Sequence, residues 1–199
     1  MNTPNKLTIL RIILVPLFVF FLLVSTVPNN LLIAGIIFVI ASLTDHLDGE
    51  LARKTNQITN FGKFLDPLAD KILVISAYVC FIQLGIIGAV PVIIILMREF
   101  MVTSVRLVAV ESGKVIAANI WGKAKTVSQI IAVIVIIFLK YFLILVDNNI
   151  LRFSDAVSFA NIFFIVSQVV VWISVLLTAV SGFIYIRDNI NFIKPSHNM

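Results

Sequence analysis

The sequence is poor in charge and in cysteine. Only 13% of its 199 residues are charged, whereas about a quarter are charged in an ordinary soluble domain. A single cysteine, Cys80, excludes a framework of intrachain disulfides. The chain also lacks the alternation of apolar and polar residues that membrane-spanning strands require. With 60% hydrophobic residues and a mean hydropathy of +1.10, the composition predicts an all-α integral membrane protein.

Unbroken apolar stretches predict six transmembrane helices. A span needs about 20 apolar residues, because each residue of a helix rises by about 1.5 Å. The breaks between the stretches contain proline, glycine or clusters of polar residues, as expected of loops. No internal repeat or change of composition divides the chain, so we expect one transmembrane domain over residues 1–199. The predicted spans are residues 7–27, 31–54, 61–84, 90–110, 121–146 and 157–186.

The net charge of +5 comes from lysines and arginines that are dispersed among the spans. This dispersal favours an origin in membrane topology and argues against nucleic-acid binding. Basic residues flank the first span, the second and fourth loops and the end of the sixth span, whereas the first and third loops have none. The positive-inside rule therefore predicts that both termini and the loop after the second span are cytoplasmic.

Residues 45–70 contain half of the ten acidic residues of the chain. Asp45 and Asp48 are three positions apart and share one face of a helix. Asp66 and Asp70 are four positions apart and share a face of the next helix. A carboxylate inside a membrane span is costly unless it pairs, binds a cation or lines a wet cavity. Four convergent carboxylates predict a site for hard cations, Mg²⁺ or Mn²⁺, and not for zinc.

Two such cations about 4 Å apart would clamp a phosphate between them. Arg53, Lys63 and Lys71 add positive charge that suits a phosphate. The alternative interpretation is that the acidic and basic residues form an interfacial network of ion pairs. His46 has no histidine or cysteine partner at ligand spacing, so we do not expect it to bind a metal.

The same stretch carries the pattern D-x2-D-G-x2-A-R-x8-G-x3-D-x3-D, and in it this sequence resembles the CDP-alcohol phosphotransferase family. The resemblance implies a six-helix membrane enzyme in which an alcohol displaces CMP from a CDP-linked lipid. It also implies that the first three aspartates bind one ion, that the first, third and fourth share a second, and that Asp70 takes the proton of the attacking hydroxyl. The positions that match are Asp45, Asp48, Gly49, Ala52, Arg53, Gly62, Asp66 and Asp70.

Several further residues are candidates for binding the nucleotide. Asp48, Gly49, Ala52, Arg53 and Gly62 belong to the pattern, and small side chains at three of these positions leave room for a ligand. Asn5 and Thr8 share a face of the first helix with Arg11 and recur in related enzymes. The alternative is that Asn5 and Thr8 begin the helix and that Arg11 anchors it at the interface.

The nature of the acceptor is predicted from basic residues that are not fixed positions of the pattern. Arg106, Lys123 and Lys125, with Lys63, would bind a phosphate carried by the acceptor itself. For these residues, positive-inside topology is the competing explanation. Arg98 lies nearer the outer end of its span, where pairing with Glu99 is the alternative to any role in the site.

Four segments, NKLTILRIILVPLF, TNFGKFLDPLADKILV, MREFMVTSVRLVA and VIAANIWGKAKTVSQ, resemble the branch of bacterial phosphatidylglycerophosphate synthases. This branch transfers the phosphatidyl group of CDP-diacylglycerol to sn-glycerol 3-phosphate and releases CMP. His46 and Glu50 depart from it, where aromatic residues are common. The resemblance implies a homodimer in the bacterial cytoplasmic membrane, with the active site facing the cytoplasm.

The sequence leaves two other functions open. Inositol phosphate or serine could replace glycerol 3-phosphate as the acceptor, and the alcohol that supports CMP release distinguishes them. A cation transporter could use the aspartates to bind the transported ion. Transporters of that kind often have inverted repeats and broken helices, neither of which the sequence contains.

Overall fold

The computed structural model describes residues 3–55, 60–111, 120–148 and 156–190, and this part of the chain is all-α. Each predicted span corresponds to one helix. The helices are α1 (Thr3–Leu23), α2 (Asn30–Thr55), α3 (Asn60–Gln83), α4 (Ala89–Glu111), α5 (Ile120–Asp147) and α6 (Ala156–Asp188).

The first helix differs most from its prediction. It begins at Thr3 and ends at Leu23, whereas residues 7–27 were predicted. The prediction counted the apolar residues up to Val27 and gave too little weight to Ser25 and Thr26 among them and to Pro28 after them. Pro28 disfavours helical geometry at the residue before it, and the following Asn29 has a left-handed φ of 54°. The Asn30 side chain then donates a hydrogen bond to the carbonyl of Phe21 at 3.0 Å, which fixes the turn against the end of α1.

The connection between α3 and α4 is fixed by a glycine. Gly85 has a φ of +67°, a conformation that a residue with a Cβ adopts at a cost. The amide of Gly85 donates to the carbonyl of Ile82 at 3.0 Å, and the amide of Ile86 donates to the carbonyl of Phe81 at 2.9 Å. This pair of bonds is the Schellman motif that ends many helices.

The helices pack as a bundle in which α1 holds α2 and α3 together. α1 packs extensively against both, whereas α2 and α3 contact each other only lightly along the described residues. On the other side, α5 packs against α6 and α2, and α6 packs against α4. In the part of the chain that the structure describes, α3 contacts α4 and α5 through few residues, so a polar link between these helices is important.

The core is apolar and so is the outer surface. Phe18 and Phe38 are fully buried, with ring centroids 5.4 Å apart, and join α1 to α2. Phe183 of α6 and Phe100 of α4 are instead 70% and 68% exposed, and they are two of many large apolar side chains on the outside. An outer surface of this kind is typical of a bundle that faces lipid.

Two helices are long and apolar enough to cross a membrane by length and composition, when only the described residues are considered. They are α5, over Ile120–Asp147, and the part of α6 over Phe159–Asp188. Over the residues whose side chains the structure describes, α1, α2 and α3 contain shorter apolar stretches. The shorter stretches are Ile9–Leu23, Asn30–Thr44 and Lys71–Gln83.

Candidate active site

The aspartate pattern lies on two consecutive helices. Asp45 and Asp48 are within the last three turns of α2, and Asp66 and Asp70 are within the first three turns of α3. The backbone is helical at all four positions, which confirms the helical spacing on which the prediction of shared faces depends. Residues at this spacing have Cβ atoms about 5–6 Å apart.

The side chains of residues 45–70 lie outside the part of the chain that the structure describes. The predicted metal ligands, the base Asp70 and the nucleotide-binding residues of the pattern therefore stay predictions, as does Lys63. The same holds for Asn5 and Thr8. The donor set itself fits hard divalent cations, because it consists of carboxylate oxygens on helical backbone.

A cluster of charged side chains includes Lys71, the residue that follows the last aspartate of the pattern. Its centre is Glu99 of α4, which is 6% exposed. Oε1 of Glu99 accepts a hydrogen bond from Nη1 of Arg98 at 3.2 Å and another from Nζ of Lys125 on α5. Oε2 lies 3.9 Å from Nζ of Lys71 on α3. One buried carboxylate thus joins three cations from three helices. We call these four residues the Glu99 cluster.

Lys71 has a second link to α4. Its ammonium group donates to Oγ1 of Thr103, and this hydroxyl donates in turn to the backbone carbonyl of Glu99 at 2.7 Å. Glu99 therefore holds Lys71 both through its carboxylate and, by way of Thr103, through its backbone. Since Lys71 follows Asp70 in the sequence, the Glu99 cluster borders the aspartate pattern on α3.

The predicted acceptor-binding residues that the structure describes differ in burial. Lys125 is buried in the Glu99 cluster, whereas Arg106 and Lys123 are exposed. The pairing of Arg98 with Glu99, which the sequence offered as an alternative, is present. The links from Glu99 to Lys125 and Lys71 were not predicted, because they join helices that are far apart in the sequence. The signal that could have pointed to them is an acidic residue in the middle of an otherwise apolar span.

A line of small hydroxyl side chains on α6 completes the polar interior. Ser174, Thr178 and Ser181 follow helical spacing on one face, and all three are buried. Ser174 shares a hydrogen bond of 3.0 Å with Tyr78 on α3, and Thr178 accepts one of 3.1 Å from Gln129 on α5. Each bond ties α6 to a different helix, and sequence analysis did not identify them.

The third bond of this line ties α6 to the Glu99 cluster. Nη2 of Arg98 donates to Oγ of Ser181 at 2.7 Å, so the guanidinium group bridges Glu99 and α6. The neighbouring Gly182 makes this approach possible. A Cβ at position 182 would lie 2.8 Å from Cγ of Arg98.

We expect Gly182→Ala to destabilise the protein by about 1–3 kcal/mol, which is the usual cost of overpacking. The clash is with the stem of Arg98 near its backbone, which cannot move away without disturbing α4. Thermal unfolding in detergent measures the effect. Gly88→Ala is the matched control, because a Cβ there meets nothing within 4 Å. An equal melting temperature for the two variants would contradict the prediction.

Comparison with known proteins decides the family. The model of the CDP-alcohol phosphatidyltransferase family matches residues 1–180. The chain belongs to this family. The match spans the whole aspartate pattern and the whole Glu99 cluster, and it confirms the resemblance that the sequence pattern indicated.

Relatives of similar length carry one enzyme name, CDP-diacylglycerol–glycerol-3-phosphate 3-phosphatidyltransferase. The relative from Bacillus subtilis is 40% identical, over 98% of this chain and 99% of its own length. That from Rickettsia bellii is 31% identical over 94% of each chain. That from Haemophilus influenzae is 44% identical over 66% of this chain and 72% of its own. This member of the CDP-alcohol phosphatidyltransferase family is thus a transferase.

Proposed function

We propose that this protein transfers the phosphatidyl group of CDP-diacylglycerol to sn-glycerol 3-phosphate, giving phosphatidylglycerophosphate and CMP. The observation that carries the proposal is the 40% identity over nearly the full length of the Bacillus subtilis enzyme of that name. The complete aspartate pattern on α2 and α3 supports it, because this chain retains all eight positions of the pattern.

In the proposed reaction the hydroxyl oxygen of the acceptor forms a bond with the phosphorus that carries diacylglycerol. The bond between that phosphorus and the oxygen of CMP breaks, and CMP leaves with the electron pair. The proton of the hydroxyl passes to the carboxylate of Asp70, which acts as a general base. Because Asp70 is on α3, its position depends on the contacts that hold this helix.

Asp45, Asp48, Asp66 and Asp70 would hold two divalent ions, Mg²⁺ or Mn²⁺. The all-carboxylate donor set supports this choice, since hard cations prefer oxygen ligands. Bound there, the ions would neutralise the charge of the diphosphate and of the leaving CMP.

The nucleotide would bind to the same two helices. Gly49, Ala52 and Gly62 lack large side chains and leave space for the cytidine diphosphate, and Arg53 contributes a charge. Asp48 is shared between the metal and the nucleotide in this proposal. Asn5 and Thr8, near the start of α1, would contact the nucleotide from the helix that packs against both α2 and α3.

The acceptor phosphate would be bound by Lys63, Arg106, Lys123 and Lys125. The Glu99 cluster supports the inclusion of Lys125, because there three cations surround a single carboxylate. An excess of positive charge in a low-dielectric interior favours an anion. A phosphorylated alcohol supplies that anion, whereas serine lacks a phosphate.

We further propose that all six helices cross the membrane. The shortest, α1, has 21 residues and so extends about 30 Å, the thickness of the hydrocarbon core. Both termini and the α2–α3 connection would then be cytoplasmic, which places the active site at the cytoplasmic side of a bacterial membrane. The single domain would assemble as a homodimer, as the family resemblance implies.

The decisive experiment measures CMP release by the purified protein from CDP-diacylglycerol with Mg²⁺. Glycerol 3-phosphate is compared with inositol phosphate, with serine and with no acceptor. We expect release that depends on glycerol 3-phosphate. Release that requires another alcohol would overturn the acceptor and leave the family reaction intact. No release with any acceptor, from protein that is folded, would overturn the enzyme and favour a cation transporter.

A further inference from the structure

The Glu99 carboxylate is the common partner of three basic side chains, one of which, Lys125, is proposed above to bind the acceptor phosphate. Lys71, Arg98 and Lys125 come from α3, α4 and α5, and each lies within 4 Å of the carboxylate. Three cations so close together repel one another, and a buried cation without a counter-ion is costly. Glu99 is therefore what allows two lysines to share this small region of the interior.

The packing of the helices makes this anchor more important. Along the described residues, α3 contacts α4 and α5 lightly, and its main partner is α1. The ion pair of Lys71 with Glu99, together with the bond of Lys71 to Thr103, is therefore a major link between α3 and α4.

A small cavity lies beside the cluster. It is lined by Lys71, Glu99 and Lys125, with Thr126 and Gln129 of α5. Its volume of about 20 Å³ accommodates roughly one water molecule and no organic phosphate. The acceptor would therefore lie outside this cavity.

We propose that Glu99 is a positioning residue for the acceptor side of the transfer reaction. Its carboxylate accepts a hydrogen bond from the Lys125 ammonium group and keeps that group in place on α5, where it would meet the acceptor phosphate. Lys71 of α3 pairs with the same carboxylate, so Glu99 joins α3 to α5 through α4. Glu99 itself touches neither substrate. This inference rests on the proposed function, since it concerns the residues that would bind glycerol 3-phosphate.

Glu99→Gln tests the inference, because glutamine keeps the shape and removes the charge. We expect the KM for glycerol 3-phosphate to rise about tenfold or more, while the KM for CDP-diacylglycerol stays within about twofold. Glu99→Asp keeps the charge on a shorter side chain and should restore much of the affinity for the acceptor. If Glu99→Gln fails to fold, the KM values of Glu99→Asp decide, and they should shift for the acceptor alone.

Tyr78→Phe is the matched control. It removes a buried hydrogen bond between α3 and α6 and leaves the Glu99 cluster intact. We expect neither KM to change by more than about twofold, because this variant loosens the bundle without removing a contact of the Glu99 cluster. Equal shifts of both KM values in Glu99→Gln would show a merely structural role and overturn the inference. A lower KM for glycerol 3-phosphate would also overturn it, since Glu99 would then compete with the acceptor for Lys125.

The wild-type protein in the same assay separates this inference from the proposed function. If the wild type releases no CMP with glycerol 3-phosphate, the proposed function fails and the inference fails with it. If the wild type is active and Glu99→Gln has unchanged KM values, only the role of Glu99 is wrong.

Discussion

Asp70→Asn is expected to reduce CMP release about a thousandfold or more, since a general base alone contributes roughly 10²–10⁴ and a metal ligand is lost as well. Asparagine has nearly the same shape as aspartate but cannot accept the proton of the attacking hydroxyl. It also lowers the negative charge that holds a divalent cation. The helix should persist, because position 70 is in the interior of α3 and asparagine and aspartate have similar helix propensities.

The measurement is the initial rate of CMP release at saturating CDP-diacylglycerol and glycerol 3-phosphate. Asp188→Asn is a suitable control at the far end of the chain. Asp188 is exposed at the end of α6, and its carboxylate pairs with Arg187 at 3.1 Å. We expect this control to keep nearly the full rate. An Asp70→Asn variant as active as the control would exclude Asp70 from the chemistry.

Removal of divalent cations is expected to have the second large effect. Treatment of the active protein with a chelator should abolish CMP release, and Mg²⁺ or Mn²⁺ should restore it. The physical reason is that the four aspartates repel one another and the diphosphate unless cations neutralise them. Zn²⁺ is expected to restore little activity, because the aspartate pattern offers carboxylate oxygens and His46 has no histidine or cysteine partner at ligand spacing.

This prediction is tested by adding Mg²⁺ or Mn²⁺ in increasing concentration to the metal-depleted protein and measuring the rate of CMP release. Asp48→Asn should require a higher concentration of the cation for half-maximal activity, since it removes one ligand. Glu99→Gln should not, because Glu99 is an anchor for lysines and is not among the predicted ligands. Full activity in the presence of excess chelator would contradict the metal site.

The sequence was sufficient to predict the number and order of the helices. Runs of apolar residues and the breakers between them gave six elements, and the structure has one helix for each. The end of α1 was placed four residues too late, because hydropathy counts Val24 and Val27 as part of a span. Local backbone chemistry decided otherwise: Pro28 disfavours helix at the residue before it, and Asn29 adopts a left-handed conformation.

The sequence also determined the chemical identity of the site. Eight residues at fixed spacing indicated the family, and the match over residues 1–180 confirmed it. Such a pattern is local, since it lies on the end of one helix and the beginning of the next. Helical periodicity alone then tells which of its residues share a face.

Only the tertiary structure revealed what surrounds Glu99. The sequence showed Arg98 beside Glu99 and allowed their pairing, but Lys71 is 28 positions before Glu99 and Lys125 is 26 positions after it. Nothing in the periodicity of a single helix says which helix it will face. That choice follows from how α4, α3 and α5 pack, and packing depends on the side chains of all three together. The sequence by itself thus determined the helices and the reactive pattern, whereas the tertiary structure alone decided which charges meet in the interior.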